Sequence, residues 1–130
     1  METDAGRIRR YLEDDRCRVE DPETRIAELA EIRSTVADDR VAEDVAVFST
    51  LGNETRYRLV RALVAAGEKL CVCELNGVVD ASESAVSHAL SDLRDAGLVT
   101  RHKDGRWRKY RATPVATALL SALGGVGKDE

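Results

Sequence analysis

Residues 70–111 read LCVCELNGVVDASESAVSHALSDLRDAGLVTRHKDGRWRKYR, and this segment is the most informative in the chain about the fold. Apolar side chains at helical spacing predict a helix over residues 70–79, and the polar turn Asp80-Ala81-Ser82 follows it. Ser82 can cap a second helix over residues 83–96. Two strand-like runs around Asp104-Gly105 then predict a hairpin. This order predicts a winged helix-turn-helix, mainly α with a small β-hairpin.

The second helix of this stretch has two unlike faces. One face is apolar and is expected to be buried: Val86, Ala89, Leu90 and Leu93. The opposite face carries short hydrogen-bonding side chains at helical spacing: Ser84, Ser87, His88 and Ser91. Short side chains let a helix backbone approach a major groove closely, so these four are candidate DNA contacts. Taken alone, the same stripe fits an ordinary solvent-exposed face equally well.

The hairpin is strongly basic although the chain is not. Residues 101–111 hold six lysines and arginines against one aspartate, whereas the net charge is -4 and residues 1–50 hold fourteen acids against eight arginines. Nucleic acid responds to the local field, so the average charge does not exclude DNA binding.

A turn at Asp104-Gly105 would set the register of the hairpin. Lys103 would then pair with Arg106 and Arg101 with Arg108, and all four cations would share one face. Cross-strand cations repel one another, and the phosphates of DNA would relieve that repulsion. Trp107 and His102 would lie on the other face, where Trp107 is expected to pack the wing onto the body.

The residues upstream predict a scaffold. Helices are expected after Asp21-Pro22 and after Asp38-Asp39, and a third from an Asn53 cap to Gly67. The first two carry more apolar surface than a small winged domain needs, which predicts a homodimer. A last helix over 113–123 is expected to join that interface. The predicted organisation is a mobile arm (1–20), a winged domain with dimerisation helices (21–123) and a tail (124–130).

Several classes of protein are disfavoured. No apolar run approaches the roughly 18 residues of a membrane span, and the N-terminus lacks a signal-peptide pattern, so a soluble cytoplasmic protein is expected. The sequence contains no phosphate loop, carboxylate pair or nucleophile–base set, which argues against an enzyme. Three cysteines are an odd count for a disulfide framework, and clustered thiols in a reducing compartment are more often metal-binding or reactive.

Four segments together carry a resemblance to a known family: residues 48–56 (FSTLGNETR), 70–75 (LCVCEL), 82–90 (SESAVSHAL) and 93–99 (LRDAGLV). In this order and spacing the chain resembles the ArsR/SmtB family of metal-sensing winged-helix repressors over about 47–113. The resemblance implies a homodimer that represses its own operon and leaves the DNA operator when an ion binds. It also implies that Ser84, Ser87 and His88 reach bases or phosphates.

The resemblance further implies a thiolate site. Cys71 and Cys73 match both ligand positions of the arsenic and cadmium branch, while Asn76 occupies the position of that branch's third cysteine. Another branch takes cysteines from an N-terminal arm, a part that Cys17 could play. Residues 113–123 hold neither histidine nor acid, so the C-terminal zinc site of the family is not expected. Thiolates without histidine suit As(III), Sb(III) or Cd(II), and no organic cofactor is expected.

Helix geometry leaves two options for the thiol pair. Residues two apart on a regular helix point about 200° apart, so either the cysteines lie at a frayed helix start or binding unwinds that turn. Two other functions remain open. The same DNA-binding fold could respond to thiol oxidation or to no small ligand, or the chain could be a protein-interaction or metal-storage module that never touches DNA.

Overall fold

The computed structural model describes residues 4–12 and 21–124, which fall into two compact units that divide between Glu43 and Asp44. The first unit contains α1 (Asp4–Leu12) and α2 (Pro22–Val36). The Arg9 guanidinium donates to both carboxylate oxygens of Glu23, at 2.8 and 3.0 Å. The boundary between the units falls inside α3 (Arg40–Leu51).

The second unit contains the rest of the fold. Its helices are the end of α3, then α4 (Glu54–Ala66), α5 (Val72–Val78), α6 (Glu83–Asp95) and α7 (Pro114–Ala122). Its strands are β1 (Leu70–Cys71), β2 (Val99–Asp104) and β3 (Trp107–Ala112), and they form one antiparallel sheet in the order β1-β3-β2. The helix-turn-helix is therefore α5 and α6, and the wing is β2 and β3.

Local capping explains where three helices begin. Asn53 Oδ1 accepts from the Arg56 N–H at 3.0 Å, Ser82 Oγ from Ala85 at 3.1 Å, and Thr113 Oγ1 from Ala116 at 3.3 Å. A side-chain acceptor there satisfies a backbone donor that has no partner inside the helix. The caps expected at Asn53 and Ser82 are confirmed.

The core of the second unit is aliphatic and is formed by the inner faces of the helices and the base of the sheet. On α6 the predicted apolar face is buried in full, and Leu90 and Leu93 are completely inaccessible. The other fully buried large side chains come from α4, α5, the start of β2 with the residue before it, and α7: Leu59, Val60, Leu63, Leu75, Leu98, Val99 and Leu120.

The apolar stripes of the outer helices are only partly used. On α2, Ile26 is buried, but Ile32 and Val36 are exposed. On α3, Val47 and Leu51 pack against the core while Val41, Val45 and Phe48 are exposed, Phe48 by 63%. Among residues 4–12 and 21–124, no helix is long and apolar enough to cross a bilayer.

Candidate nucleic-acid interface and thiol cleft

The recognition helix α6 presents the predicted polar stripe to solvent. Ser84, Ser87, His88 and Ser91 are all exposed, because burial of the opposite face fixes the rotation of the helix about its axis. His88 also lies at the edge of a cleft that it shares with Asn53 and Thr55 at the start of α4. The stripe therefore forms one continuous surface of short polar side chains.

The wing has a register that differs from the sequence-based expectation. Lys103 pairs with Arg108, Asp104 with Trp107 and Arg101 with Tyr110. The loop consists of Gly105 and Arg106, not of Asp104 and Gly105. Gly105 has a φ of 65°, and a positive φ at the first central position is what a two-residue type II′ turn requires.

The prediction that four cations share one face of the wing is wrong in this register. Arg101, Lys103 and Arg108 share one face of the wing with Tyr110, whereas Arg106 lies in the turn. Asp104 lies on the other face, and its carboxylate is 3.3 Å from the Lys109 ammonium. The four predicted cations are all exposed near the tip of the wing, but they are distributed over one face and the turn.

The predicted helix at residue 70 begins two residues later. Leu70 lies opposite Tyr110, and Cys71 lies opposite Lys109, so this pair forms β1 at the free edge of β3. A strand edge presents unpaired backbone groups, and pairing with Leu70–Cys71 satisfies them. The sequence-based prediction contained only the two strands of the hairpin and did not include this third strand.

The position of Cys71 decides between the two options for the thiol pair. Cys71 is the cap residue of α5, in extended conformation, and Cys73 lies in the first turn. The two thiols are therefore at the helix start, where the 200° separation of a regular helix does not apply. Both are free, Cys73 is exposed, and both line one cleft.

The far wall of this cleft is the wing. Arg106, Trp107 and Arg108 line it opposite Cys71, Val72 and Cys73. Trp107 shares a face with His102, as predicted, yet it remains 54% exposed and lies beside the thiols. We name the space between these six residues the thiol cleft.

Glu74 stabilises the start of α5 beside the cleft. Its Oε1 accepts the Cys71 backbone N–H at 2.9 Å. This hydrogen bond, together with the Cys71 thiol and the nearby Lys109 ammonium, holds the pKa of Glu74 below its usual value. The carboxylate therefore stays ionised, which keeps Cys71 anchored as the cap residue.

A third ligand for the thiol pair is not found in the part of the chain that the structure describes. No cluster of three histidine, cysteine or acidic side chains occurs there. Asn76, at the position of the expected third cysteine, has its Oδ1 enclosed and without a hydrogen-bond partner. Cys17, the predicted additional ligand, lies outside the described residues.

Arg56 connects three helices, and the sequence pattern did not predict this role. Its Nε donates to the Thr50 carbonyl oxygen in the last turn of α3 at 2.7 Å, and its Nη1 lies 3.4 Å from Asp92 on α6. One side chain on α4 thus contacts both the end of α3 and the recognition helix. The only signal in the sequence was its place in the segment 48–56.

Fold and surface together define a class of protein: a winged helix-turn-helix regulator with a polar recognition helix and a cationic wing. A solved structure of HlyU from Vibrio cholerae has the same fold, with a TM-score of 0.60 and 28% identity over 66% of this chain and 92% of that one.

The family is shown by sequence comparison. Residues 53–101 match the family described as bacterial regulatory protein, arsR family. A protein of Halobacterium salinarum named as an arsenical resistance operon repressor is 50% identical over 121 residues, 92% of this chain and 94% of its own. A cadmium resistance regulatory protein, CadC, of Listeria innocua is 39% identical over 64% of this chain and 69% of its own. The chain belongs to the arsR family, which is a family of DNA-binding transcription regulators and not of enzymes.

Proposed function

We propose that this protein is a homodimeric repressor that leaves its DNA operator when a soft metal or metalloid ion binds its cysteine thiolates. The observation that carries the proposal is the thiol cleft, in which the free thiols of half-buried Cys71 and exposed Cys73 lie beside the wing. The names of the relatives, which refer to arsenical and cadmium resistance, favour As(III), Sb(III) or Cd(II) as the effector.

In the proposed complex, α6 enters the major groove and the wing follows the phosphate backbone. Ser84, Ser87, His88 and Ser91 would contact base edges or phosphates, since all four are exposed on one face. The phosphates would be bound through the positive charges of the wing cations Arg101, Lys103, Arg106 and Arg108. Such contacts position the protein on DNA but do not depend on the base sequence.

A salt titration tests the phosphate contacts. Arg108→Ala should reduce the slope of log affinity against log salt by about 0.9, the value for one phosphate neutralised. Arg58→Gln is the matched control, because the Arg58 guanidinium already pairs with Glu54 at 2.7 Å. A slope that is flat in the wild type would contradict phosphate binding by the wing, and an equal slope in Arg108→Ala would exclude Arg108 as a phosphate contact.

Loss of sequence discrimination tests the recognition helix. Ser87→Ala and His88→Ala should each narrow the difference in affinity between operator and unrelated DNA, by about 1–3 kcal/mol if the side chain reads a base edge. Ser121→Ala, an exposed serine on α7, is the control. Unchanged discrimination in both recognition-helix variants would contradict the assignment.

The proposed dimer is supported by apolar side chains that are exposed on α3 and along or just after α7. Phe48 and Val45 on α3 are 63% and 58% exposed, and Val115 on α7 and Leu123 just after it are exposed as well. Exposed apolar residues that recur on one helix face are typical of an interface. Phe48→Glu should give a folded monomer in sedimentation equilibrium, whereas Val78→Glu, at an equally exposed valine of α5, should remain dimeric.

Cysteine variants test the sensor. Cys71→Ser and Cys73→Ser should each abolish release from DNA by As(III) or Cd(II) while leaving ion-free binding intact. Metal stoichiometry per dimer in Cys17→Ser would reveal whether that residue supplies a further ligand. If no ion weakens DNA binding, and if hydrogen peroxide does so only when both Cys71 and Cys73 are present, thiol oxidation is the signal instead.

A further inference from the structure

The thiol cleft joins the proposed sensor to the wing without any intervening element. Cys71 is at once the last residue of β1, opposite Lys109 of β3, and the cap residue of α5. Arg106, Trp107 and Arg108, which form the other wall, begin that same strand β3 or precede it directly. The recognition helix α6 contributes no residue to the lining of the cleft.

An ion held by both sulfurs must share this space with the wing. Both cysteines line the cleft, and thiolate-to-metal bonds are only about 2.3 Å long for zinc, so an ion bound to both of them would lie against the wing. The cleft measures about 370 Å³ and is open to solvent. The largest side chain on its far wall is Trp107, which is 54% exposed and therefore has room to move.

We propose that ion binding acts on DNA affinity through the wing, and that Trp107 is the positioning residue at the point of contact. This inference rests on the proposed function, because it assumes that Cys71 and Cys73 bind the ion. When both cysteine sulfurs bind one ion, the backbone of residues 71–73 must adjust to bring them together. This adjustment strains the backbone pairing of β1 with β3. The ion and its remaining ligands then displace Trp107 and, with it, the phosphate-binding side chains on either side.

Binding of the ion by the two thiols requires no oxidant. With Cd(II), each thiol loses its proton to solvent and forms one sulfur–metal bond. With arsenous acid, two sulfur–arsenic bonds replace two arsenic–oxygen bonds, and the thiol protons leave with the two hydroxyl groups as water. The oxidation states of arsenic and sulfur do not change.

Trp107 also supplies the probe, because it is the only tryptophan of the chain. Its fluorescence in the full-length dimer should change when As(III) or Cd(II) is added, with the same midpoint as release from DNA. Cys73→Ser should abolish both changes. A fluorescence that stays constant while the wild type releases DNA would overturn the inference.

The decisive variant is Trp107→Ala, with Trp107→Phe as the conservative control. The ion should lower the DNA affinity of the wild type by about tenfold or more, within the usual range of allosteric coupling. In Trp107→Ala this factor should fall to roughly threefold or less, while ion stoichiometry and ion-free DNA affinity stay close to those of the wild type. Trp107→Phe should retain most of the effect of the ion on DNA affinity, since an aromatic ring again lines the cleft at this position.

The two proposals fail in different ways. If the wild type binds no ion or keeps its DNA affinity, the proposed sensor is wrong. If the wild type responds and Trp107→Ala responds equally, the sensor stands and the route through the wing is wrong. Hydrogen exchange of the unaltered protein gives a second measure. The amides of Leu70 and Tyr110, which lie opposite each other in β1 and β3, should exchange faster with the ion bound, and unchanged exchange there would also overturn the inference.

Discussion

Arg56 on α4 and Asp92 on the recognition helix are joined by a 3.4 Å contact between guanidinium and carboxylate, and the same guanidinium holds the last turn of α3. The Arg56 side chain is only 26% exposed. A carbonyl oxygen in the last turn of a helix has no partner inside it, and a cation there also complements the helix dipole. Arg56 therefore sets where α6 lies relative to α3.

Arg56→Gln should lower the free energy of unfolding by about 1.5–3 kcal/mol, the usual contribution of a hydrogen bond to a charged group. Arg58→Gln should lower it by only about 0.3–0.5 kcal/mol, because its pair with Glu54 is exposed and four residues apart on one helix. Urea denaturation measures both values. Equal losses in the two variants would show that the contacts of Arg56 add nothing beyond a surface pair.

Leu120 in the last turn of α7 and Leu123 just after that helix should behave differently. Leu120 is fully buried and Leu123 is 70% exposed. Leu120→Ala should cost about 2–5 kcal/mol of stability because it leaves a cavity in the core. Leu123→Ala should change stability by less than about 0.5 kcal/mol.

This comparison is made in the Phe48→Glu background at one protein concentration, because dimerisation adds to apparent stability. In the wild-type background, Leu123→Ala should instead weaken the dimer in sedimentation equilibrium. A large loss of stability for Leu123→Ala in the monomeric background would mean that its side chain packs within the protomer.

Replacing glycine by alanine should have opposite effects at two positions. Gly105 in the wing turn has a φ of 65°, which costs an L-residue about 1–2 kcal/mol, so Gly105→Ala should destabilise the protein by about that much. Gly77 lies in α5 with ordinary backbone angles, so Gly77→Ala should stabilise it by about 0.5–1 kcal/mol.

An added methyl group meets no atom within 4 Å at either glycine, so steric overlap cannot produce the difference. Thermal denaturation compares the two signs directly. Gly105→Ala should also weaken DNA binding, since the turn sets the position of Arg106. A stabilising effect of Gly105→Ala would contradict the type II′ assignment of the turn.

The contact between α1 and α2 should weaken in acid. The hydrogen bond and the positive charge of Arg9 hold the pKa of Glu23 below its usual 4.5, although the charge of Asp21 opposes this in part. A carboxyl group with a lowered pKa in the folded state stabilises that state fully above its unfolded pKa. This stabilisation is lost as the pH falls through the lowered value.

Amide exchange of α1 as a function of pH, together with the carbon chemical shift of the Glu23 carboxyl, should follow this transition. Glu23→Gln should remove the pH dependence, whereas Glu28→Gln should leave it in place, because Glu28 pairs with Arg25 and not with Arg9. A Glu23 carboxyl that titrates at or above 4.5 would contradict the prediction.

Much of the recognition unit could be predicted because the interactions that define it are local. Ser82 caps α6 by reaching three residues along the chain, and Asn53 does the same for α4. Apolar spacing within thirteen residues of α6 determines which side is buried, and hence that Ser84, Ser87, His88 and Ser91 are exposed. Such patterns depend on the period of the helix alone. The sequence by itself therefore determined the fold, the family and the polar face of α6.

The tertiary structure decided how the cysteines relate to the wing. Two residues, Leu70 and Cys71, are too few to show a strand pattern, and they adopt one because β3 offers a free edge. The register of the hairpin followed from the positive φ of Gly105, which moved Arg106 into the turn and placed Trp107 opposite Asp104. The pairing of β1 with β3 joins residues that are distant in sequence. In the hairpin, a turn that moves by one residue shifts each cross-strand partner by two positions, so every side chain keeps its face but lies opposite a different residue. For that reason the sequence pattern did not predict that Cys71 and Cys73 share a cleft with Trp107, and only the tertiary structure brings these residues together.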